Sequence, residues 1–368
     1  MSGAATPTVH EIELATYRVT VAAGALDRVA ERARAATGAY RFAILTDSTV
    51  AALYAQRVMA GFAADEARLL AFPPGEREKS RERWSALTDE MLALGFGRDA
   101  AVIALGGGVV GDLAGFVAAT YMRGLPFVQV PTTLLAMIDS SIGGKTGVDT
   151  PAGKNLVGAF HQPAAVMADP LALGTLPPPQ LRAGLAEAIK HGVIADRRYL
   201  QRTVEALPTL VSAGGAGTLA MEELIARSIA IKADVASRDE RESGVRKILN
   251  FGHTIGHAIE LLSGYSLLHG EAVAIGMVLE ARLAERLGIA ESGTAAAVAE
   301  AVSQAGLPAS RPAAIAPELI LEATRSDKKA RRGAVEYALP RRIGEMAGEE
   351  RGWCVPVDDA AVLETLAS

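Results

Sequence analysis

The chain has 368 residues, half of them hydrophobic, and a formal net charge of −5 at pH 7. A chain of this length is too long for one ordinary hydrophobic core, which predicts two domains. The acidic net charge argues against nucleic acid as the main partner, because nucleic-acid-binding proteins present a basic face. Cys354 is the single cysteine, so an internal disulfide is excluded, and we expect a cytoplasmic protein with no signal peptide and no membrane span.

The first half of the chain alternates short β-like runs with amphipathic stretches. This alternation predicts an α/β fold with a parallel, doubly wound sheet. The helical stretches lie around Leu26–Ala36, Ser80–Leu94 and Asp112–Ala119. The strand candidates are Ile12–Val21, Arg41–Thr46, Ala67–Phe72, Ala101–Leu105, Phe127–Val130 and Ala164–Met167.

The second half reads as helical almost throughout. Pro177-Pro178-Pro179 interrupts the pattern and, because three consecutive prolines do not suit a helix interior or a central strand, it marks the predicted domain boundary. We therefore predict a Rossmann-like nucleotide-binding domain over residues 1–178 and an all-α metal- and substrate-binding domain over 179–368. The predicted elements are helices over Gln180–Gly192, Arg197–Glu205, Leu219–Arg238, Ile248–Leu262, Gly270–Leu287 and Thr294–Gln304, and a β-like run over Val335–Leu339.

A glycine-rich turn follows the strand candidate that ends at Leu105. Its pattern, Gly106-x-Gly108-x-x-Gly111, fits a dinucleotide-binding turn that opens a helix, although it follows about the fourth predicted strand and not the first. Asp112 has two possible roles: its negative charge would interact favourably with the helix dipole at the N-terminus, or it would contact the nicotinamide end of a cofactor. Two further segments that combine glycine and lysine follow, and such segments bind anionic groups. We therefore expect a nucleotide and a phosphorylated substrate to share one cleft.

The helical half contains a cluster of possible metal ligands. They lie on apolar, glycine-rich stretches and comprise Glu187, His191, His253, His257 and His269, with Lys190 on the same helix face as Glu187 and His191. One carboxylate and two imidazoles with open positions suit a catalytic zinc ion, whereas any single histidine is more often a satisfied polar group. The absence of an H-E-x-x-H pattern disfavours a zincin protease, and spacing alone leaves open whether His253 or His257 binds the metal.

Several segments resemble one enzyme family. They occur in the order GGGVVGDLAGFVA, ATYMRG, QVPTTLLAMIDSSIGGKTGV, GKNLVGAFHQP, LAEAIKHG, DERESGVRKILNFGHTIGHAIE, LHGEAVAIGM and SDKK. From about Thr46 to Leu339 the chain resembles 3-dehydroquinate synthase. The resemblance implies a homodimeric lyase that uses NAD and one divalent metal ion, zinc or cobalt. It would convert 3-deoxy-D-arabino-heptulosonate 7-phosphate into 3-dehydroquinate and phosphate in the shikimate pathway, through transient oxidation at C5, phosphate elimination, re-reduction and an intramolecular aldol.

The resemblance also assigns residues. It implies metal ligands at Glu187, His253 and His269, with His257 beside the substrate, and an arginine, Arg123, that reaches the neighbouring subunit's phosphate site. It implies NAD contacts at Asp47, Glu76, Lys79, Gly108, Val109, Val110, Gly111, Asp112, Thr132, Thr133, Lys145, Lys154 and Thr175. It implies substrate contacts at Asp139, Lys145, Asn155, Lys190, Lys232, Arg246, Asn250 and one lysine of the Lys328-Lys329 pair, of which we choose Lys328. The chain departs from the family at Pro74, where Asp or Ser is frequent.

Alternative functions remain open from sequence. Arg246 and Lys232 would hold a substrate carboxylate, and this group is absent from sedoheptulose 7-phosphate and glucose 6-phosphate, the substrates of related sugar-phosphate cyclases. A metal-dependent alcohol or glycerol dehydrogenase would release NADH stoichiometrically. A nucleotide-binding protein without turnover would be expected to lack the ligand candidates.

Overall fold

The computed structural model describes residues 8–326, 330–331 and 334–368. Its strands are β1 Val9–Glu13, β2 Arg18–Ala22, β3 Arg41–Asp47, β4 Ala67–Phe72, β5 Ala100–Gly106, β6 Phe127–Pro131, β7 Lys145–Thr150, β8 Gly153–Phe160, β9 Ala165–Ala168, β10 Ala330–Arg331, β11 Ala334–Tyr337, β12 Pro340–Arg342, β13 Glu345–Met346 and β14 Val355–Pro356. Its helices are α1 Val29–Thr37, α2 Ser48–Val50, α3 Gln56–Met59, α4 Arg81–Ala93, α5 Gly108–Thr120, α6 Pro178–Ala195, α7 Arg197–Leu210, α8 Leu219–Arg238, α9 His253–Leu262, α10 His269–Arg286, α11 Thr294–Gln304, α12 Pro317–Ser326 and α13 Asp359–Ala367.

Contacts divide the chain into two compact units. The first comprises Met1–Leu176 and Ala213–Ala230, and the second comprises Pro177–Ser212 and Ile231–Ser368. Helix α8 begins in the first unit and ends in the second. The domain boundaries drawn from sequence, 1–178 and 179–368, stay a prediction, and the return of residues 213–230 to the first unit was not foreseen.

The first unit is built on a seven-stranded sheet in the order β1-β2-β9-β6-β5-β3-β4. Only the β1–β2 pair is antiparallel, and every other neighbouring pair is parallel. All seven residues of β5 are buried, as expected for a parallel strand with its faces covered. The predicted parallel α/β fold is confirmed. The predicted strand Ile12–Val21 is wrong in one respect, because this segment turns back on itself as the β1–β2 hairpin.

The sheet contains a topological switch point between β3 and β5. The chain leaves β3 toward β4 on one side and leaves β5 toward β6 on the other. Ligands of open α/β sheets bind outside the carboxyl ends of strands at such a point. The glycine-rich turn after β5 therefore lies where a nucleotide site is expected, even though β5 is not the first strand of the chain.

The second unit is mainly helical, with short strands β10–β14 near its end. Helix α6 begins at Pro178, so two of the three prolines lie in its first turn and not outside a helix as predicted. The first turn tolerates proline because its N–H groups have no partner within the helix. Among the described residues, no helix combines the length and apolar character that crossing a membrane requires.

Three helices of this unit approach each other closely through glycines. A Cβ added to Gly270, in the first turn of α10, would lie 2.0 Å from the carbonyl oxygen of Ala183 on α6. A Cβ added to Gly276 of α10 would lie 1.9 Å from the carbonyl oxygen of Gly252, just before α9. Buried Glu280 of α10 also accepts hydrogen bonds from the backbone N–H groups of Gly252 (2.7 Å) and Ile255 (3.0 Å) at the start of α9. The backbones of α6, α9 and α10 are thereby fixed around one region.

Candidate active site

The residues assigned to NAD lie at the carboxyl ends of the parallel strands. Asp47 ends β3, Glu76 and Lys79 follow β4, and Thr132 and Thr133 follow β6. The residues Gly108, Val109, Val110, Gly111 and Asp112 form the first turn of α5 after β5. The N-cap of α5 is Gly107 and, among the described residues, no side chain caps this helix. Its first backbone N–H groups therefore suit an anionic group such as a pyrophosphate.

A buried lysine lies among three carboxylates near this turn. The Nζ atom of Lys79 is 3.2 Å from Glu76, 3.3 Å from Asp112 and 3.6 Å from Asp149. Burial alone would lower the pKa of Lys79, but the three carboxylates raise it above its ordinary value, so the ammonium stays charged. Burial raises the pKa of Asp112 against the opposing effect of the Lys79 ammonium. The cluster gives the nucleotide region a fixed polar network.

Two further NAD candidates are held by specific contacts. The carboxylate of Asp47 accepts the backbone N–H groups of Thr49 and Val50, each at 2.9 Å, and so caps α2. Thr175 ends a 3-10 turn, Pro170–Thr175, and its hydroxyl lies 2.5 Å from the hydroxyl of Tyr54, which also donates to the carbonyl of Ala172 (2.8 Å). Tyr54 was not predicted, because the sequence around it gives no sign that it contacts Thr175, which is 121 positions away.

The β7–β8 hairpin carries three of the predicted basic and polar residues. Lys145 begins β7, whereas Lys154 and Asn155 lie at the start of β8. Asn155 has a left-handed backbone, φ +54°, and its N–H donates to Asp149 across the hairpin at 2.8 Å. From sequence, this segment was interpreted as two separate Gly/Lys signals for anion binding, and neither strand was predicted. Asp139 lies in a π-helical turn, Ala136–Ser140, and Arg123 ends a 3-10 turn, Tyr121–Arg123.

The second unit brings together a carboxylate and imidazoles from three helices. Oε1 of Glu187 on α6 is 3.6 Å from Nε2 of His253 on α9 and 3.5 Å from Nε2 of His269 on α10. His257, one turn after His253, has a ring nitrogen within 4.8 Å of nitrogens of the other two histidines. Two overlapping sets of candidate ligands therefore exist, one with Glu187 and one with His257.

The hydrogen bonds of the rings favour the set with Glu187. Nδ1 of His253 lies 3.1 Å from the carbonyl oxygen of Phe251, and a carbonyl only accepts, so this nitrogen carries the proton. Nδ1 of His269 lies 3.4 Å from the carboxylate of Glu260. When these rings are neutral, Nε2 is therefore the nitrogen that can bind a metal ion held beside Glu187.

The donor set fits a divalent metal ion. Ligand atoms at about 2.0–2.2 Å from a tetrahedral zinc ion lie about 3.4 Å from one another, and the separations of 3.5 and 3.6 Å are close to this value. Glu187 is fully buried, a setting in which cations beside the carboxylate stabilise its charge. Three protein ligands would leave a fourth position open, as in catalytic zinc sites.

Charges around the histidines act in opposite directions. Burial, followed by the ammonium of Lys190, lowers the pKa of His253 well below its ordinary value. Burial alone would also lower the pKa of His269, but Glu187 and Glu260 raise it to about 9. Lys190 itself is buried and pairs with the second oxygen of Glu187. His191, the next residue, is buried on α6.

The remaining predicted substrate residues of this unit lie on α8 and on a 3-10 turn, Val245–Asn250. Lys232 and Arg246 are buried, at 7% and 2% exposure. Nη1 of Arg246 donates to the carbonyl of Glu240 (2.7 Å), and Nδ2 of Asn250 donates to Glu242 (2.6 Å). Buried cations of this kind suit an anionic ligand. The predicted Lys328, like Lys329, lies outside the described residues.

The hydrogen bonds that Asp239 makes with this turn were not predicted from the sequence. The carboxylate of Asp239 accepts the backbone N–H groups of Ser243 (3.0 Å), Gly244 (2.6 Å) and Arg246 (3.1 Å), so it fixes the backbone that carries the arginine. The local sequence shows an acidic residue four positions before Ser243-Gly244, and this pattern does not indicate which N–H groups the carboxylate accepts.

Comparisons with known proteins identify one enzyme family. The family descriptions "3-dehydroquinate synthase N-terminal" and "3-dehydroquinate synthase C-terminal" match residues 69–183 and 184–330. A 3-dehydroquinate synthase of Xanthomonas campestris pv. campestris is 46% identical, covering 98% of this chain and 99% of its own. That of Symbiobacterium thermophilum is 46% identical, covering 90% of this chain and 92% of its own.

Solved structures of related cyclases share the fold. A 2-deoxy-scyllo-inosose synthase complexed with carbaglucose-6-phosphate, NAD+ and Co2+ superposes with a TM-score of 0.86 at 28% identity, covering 98% of this chain and 99% of its own. A 2-epi-5-epi-valiolone synthase from Streptomyces hygroscopicus with NAD+ and Zn2+ bound gives 0.86 at 31% identity, covering 98% of each chain. The matched segments span most of the sequence, and the chain belongs to the 3-dehydroquinate synthase family.

Proposed function

We propose that the chain is an NAD- and metal-dependent lyase that converts 3-deoxy-D-arabino-heptulosonate 7-phosphate into 3-dehydroquinate and phosphate. The observation that carries the proposal is the convergence of Glu187, His253 and His269, with two Nε2 atoms directed at one buried carboxylate oxygen. Family membership over most of the chain supports the same reaction.

We propose that the metal ion, zinc or cobalt, is held by Glu187, His253 and His269. When bound, it supplies a Lewis acid that lowers the pKa of a substrate hydroxyl. Lys190 balances the charge of Glu187 from the side of its second oxygen. His257, one helical turn from His253, is left to contact the substrate and to exchange a proton with it.

NAD is proposed to bind at the switch point of the first unit. Its pyrophosphate would meet the first N–H groups of α5, and Asp47 and Thr175 would contact other parts of the cofactor. When bound, NAD supplies a hydride acceptor that is regenerated within the same turnover. Lys79 fixes the orientations of Glu76 and Asp112 through its ion pairs and keeps this region polar.

The substrate's carboxylate is assigned to Arg246 and Lys232. Both are buried cations, and the backbone of Arg246 is anchored by Asp239. The phosphate is assigned to Lys145, Asn155, Asn250 and Lys328, and the ring hydroxyls to Asp139 and Lys190. Fixed donors of this kind act by positioning and by electrostatic stabilisation. We also propose a cytoplasmic homodimer in which Arg123 reaches the phosphate of the neighbouring subunit.

The nearest alternative is a cyclase that acts on a substrate without a carboxylate. The two solved relatives described above are cyclases, and one has carbaglucose-6-phosphate bound. Such substrates present no carboxylate to the buried cations Arg246 and Lys232, so they would not make the charge-assisted hydrogen bonds that these residues offer. We therefore favour a phosphorylated sugar acid.

The test compares three substrates with one enzyme preparation supplied with NAD and zinc. Phosphate release and product mass are measured with 3-deoxy-D-arabino-heptulosonate 7-phosphate, sedoheptulose 7-phosphate and glucose 6-phosphate. We expect turnover with the first alone, and a large loss in Arg246→Ala. Arg241→Ala, an exposed arginine of the same loop, is the matched control and should match the unmodified chain. Comparable or faster turnover of either substrate that lacks a carboxylate would overturn the proposal.

A further inference from the structure

The imidazole of His269 lies between two carboxylates that approach its opposite nitrogens. Nε2 is 3.5 Å from Oε1 of Glu187, and Nδ1 is 3.4 Å from Oε2 of Glu260. Glu260 lies on α9, seven residues after His253, and only 7% of its side chain is exposed. Helix α9 thus supplies both an imidazole and the carboxylate that contacts the imidazole of α10.

The two ring nitrogens cannot both play the same role in a neutral imidazole. One carries a proton and donates, and the other carries a lone pair. A carboxylate at Nδ1 accepts a hydrogen bond and so keeps the proton on that nitrogen. When a cation is held by Glu187, Nε2 is then the nitrogen that offers its lone pair to that cation. His253 reaches the same state by a different route, because its Nδ1 faces the carbonyl of Phe251.

Glu260 is a hydrogen-bond partner of Nδ1 of His269, and its carboxylate selects this tautomer and holds the plane of the ring. His269 is also the most exposed of the three assigned ligands, at 30% of its side chain against 12% for His253 and 0% for Glu187. It is therefore the ligand that depends most on a fixed partner. Partners of this kind orient metal-binding histidines and raise their basicity in many proteins.

We propose that Glu260 is a positioning residue that holds His269 in the Nδ1-protonated tautomer, with Nε2 presented to the metal ion. The inference rests on the metal site of the proposed function and extends it to a residue that does not itself bind the ion. Glu260 raises metal affinity by pre-organising one ligand, so its loss weakens metal binding before any substrate is present.

The test measures zinc affinity by competition with a chelator, with no substrate or NAD. Glu260→Ala should bind zinc about 10–100-fold more weakly than the unmodified chain, the range for loss of such a partner. Glu260→Gln should fall in between, because its amide oxygen still accepts a hydrogen bond but carries no charge. Glu285→Gln is the matched control. It removes an acid of α10 that accepts the N–H of Ala295, and it should leave zinc affinity unchanged.

Two further variants separate this inference from the metal site itself. His269→Ala and Glu187→Ala should lose tight zinc binding. If they do so while both Glu260 variants bind zinc within about twofold of the unmodified chain, Glu260 has no positioning role and the metal site stands. If His269→Ala and Glu187→Ala bind zinc normally, the metal site is wrong and the inference falls with it.

A spectroscopic measurement distinguishes positioning from general stability. With only six histidines in the chain, ring-nitrogen NMR of the zinc-loaded protein can be assigned by substitution. We expect the Nδ1–H signal of His269 in the unmodified chain at a position typical of a hydrogen bond to a carboxylate, shifted in Glu260→Gln. A signal that is the same in both proteins would contradict the proposal, even if the two differ in stability.

Discussion

Replacing Gly270 by alanine tests how α6 and α10 hold the candidate metal ligands together. The added Cβ would lie 2.0 Å from the carbonyl oxygen of Ala183, whereas Cβ atoms are essentially never found under 3.0 Å from such a neighbour. The two helices must therefore separate by at least about 1 Å. Glu187 lies one turn after Ala183, and His269 directly precedes Gly270. Their 3.5 Å separation would grow beyond the roughly 3.4 Å expected between ligands of one zinc ion.

We expect two measurable consequences of this change. Overpacking a well-packed contact costs about 1–3 kcal/mol of unfolding free energy, measured by denaturant titration in the presence of a chelator. Zinc affinity, measured by chelator competition, should fall by at least tenfold because two of the three ligands move apart. Activity at limiting zinc should fall in parallel and recover partly when zinc is raised.

The control is Gly214→Ala, because a Cβ at this position has no heavy atom within 4 Å, among the described residues, and the residue has an ordinary backbone. It should leave zinc affinity and stability unchanged within about 0.5 kcal/mol. A Gly270→Ala protein with the zinc affinity and unfolding free energy of the unmodified chain would refute the reasoning, because the contact between α6 and α10 would then not set the ligand separation.

Three other substitutions probe separate parts of the account. Arg246→Ala should lower kcat/KM for the carboxylated substrate by an amount equivalent to about 2–4 kcal/mol of transition-state stabilisation, with NAD and zinc affinities unchanged. Unaltered KM and kcat would remove Arg246 from the site. Glu280→Ala should lower the unfolding free energy by about 2–6 kcal/mol, since two buried N–H groups at the start of α9 lose their acceptor, and a stability loss under 1 kcal/mol would show that they find another. Tyr54→Phe should weaken NAD binding two- to tenfold in calorimetry, about 0.5–1.5 kcal/mol, because Thr175 loses its partner, and unchanged affinity would mean that this hydroxyl is not needed.

Hydrophobic periodicity predicted the long elements of the fold well. The strand Ala67–Phe72 and the helices Leu219–Arg238 and Thr294–Gln304 match the structure at both ends. Each has a strong internal pattern and a clear start and stop. The β7–β8 hairpin was missed because Gly143, Gly144 and Gly153 look like loop signals, although its pairing is set by contacts between the two strands.

The candidate site could be predicted as a set of residues but not as an arrangement. Spacing left open whether His253 or His257 is the ligand, since both lie on one face of α9. The choice depends on tertiary structure, which places Nε2 of His253 3.6 Å from Glu187 on another helix. Glu260 and His269 lie on different helices, so their contact has no local sequence pattern, whereas Asp239 contacts residues four to seven positions further along the chain.

In the proposed reaction, NAD is reduced and reoxidised within one turnover, and a bound metal ion is required. The most direct measurement follows phosphate release from 3-deoxy-D-arabino-heptulosonate 7-phosphate with NAD at the enzyme's own concentration, while NADH absorbance is recorded. The account predicts many phosphates released per NAD, no accumulation of NADH and loss of the reaction on chelation with recovery on added zinc or cobalt. NADH that accumulates in step with substrate, or phosphate release that stops after one equivalent per NAD, would contradict it.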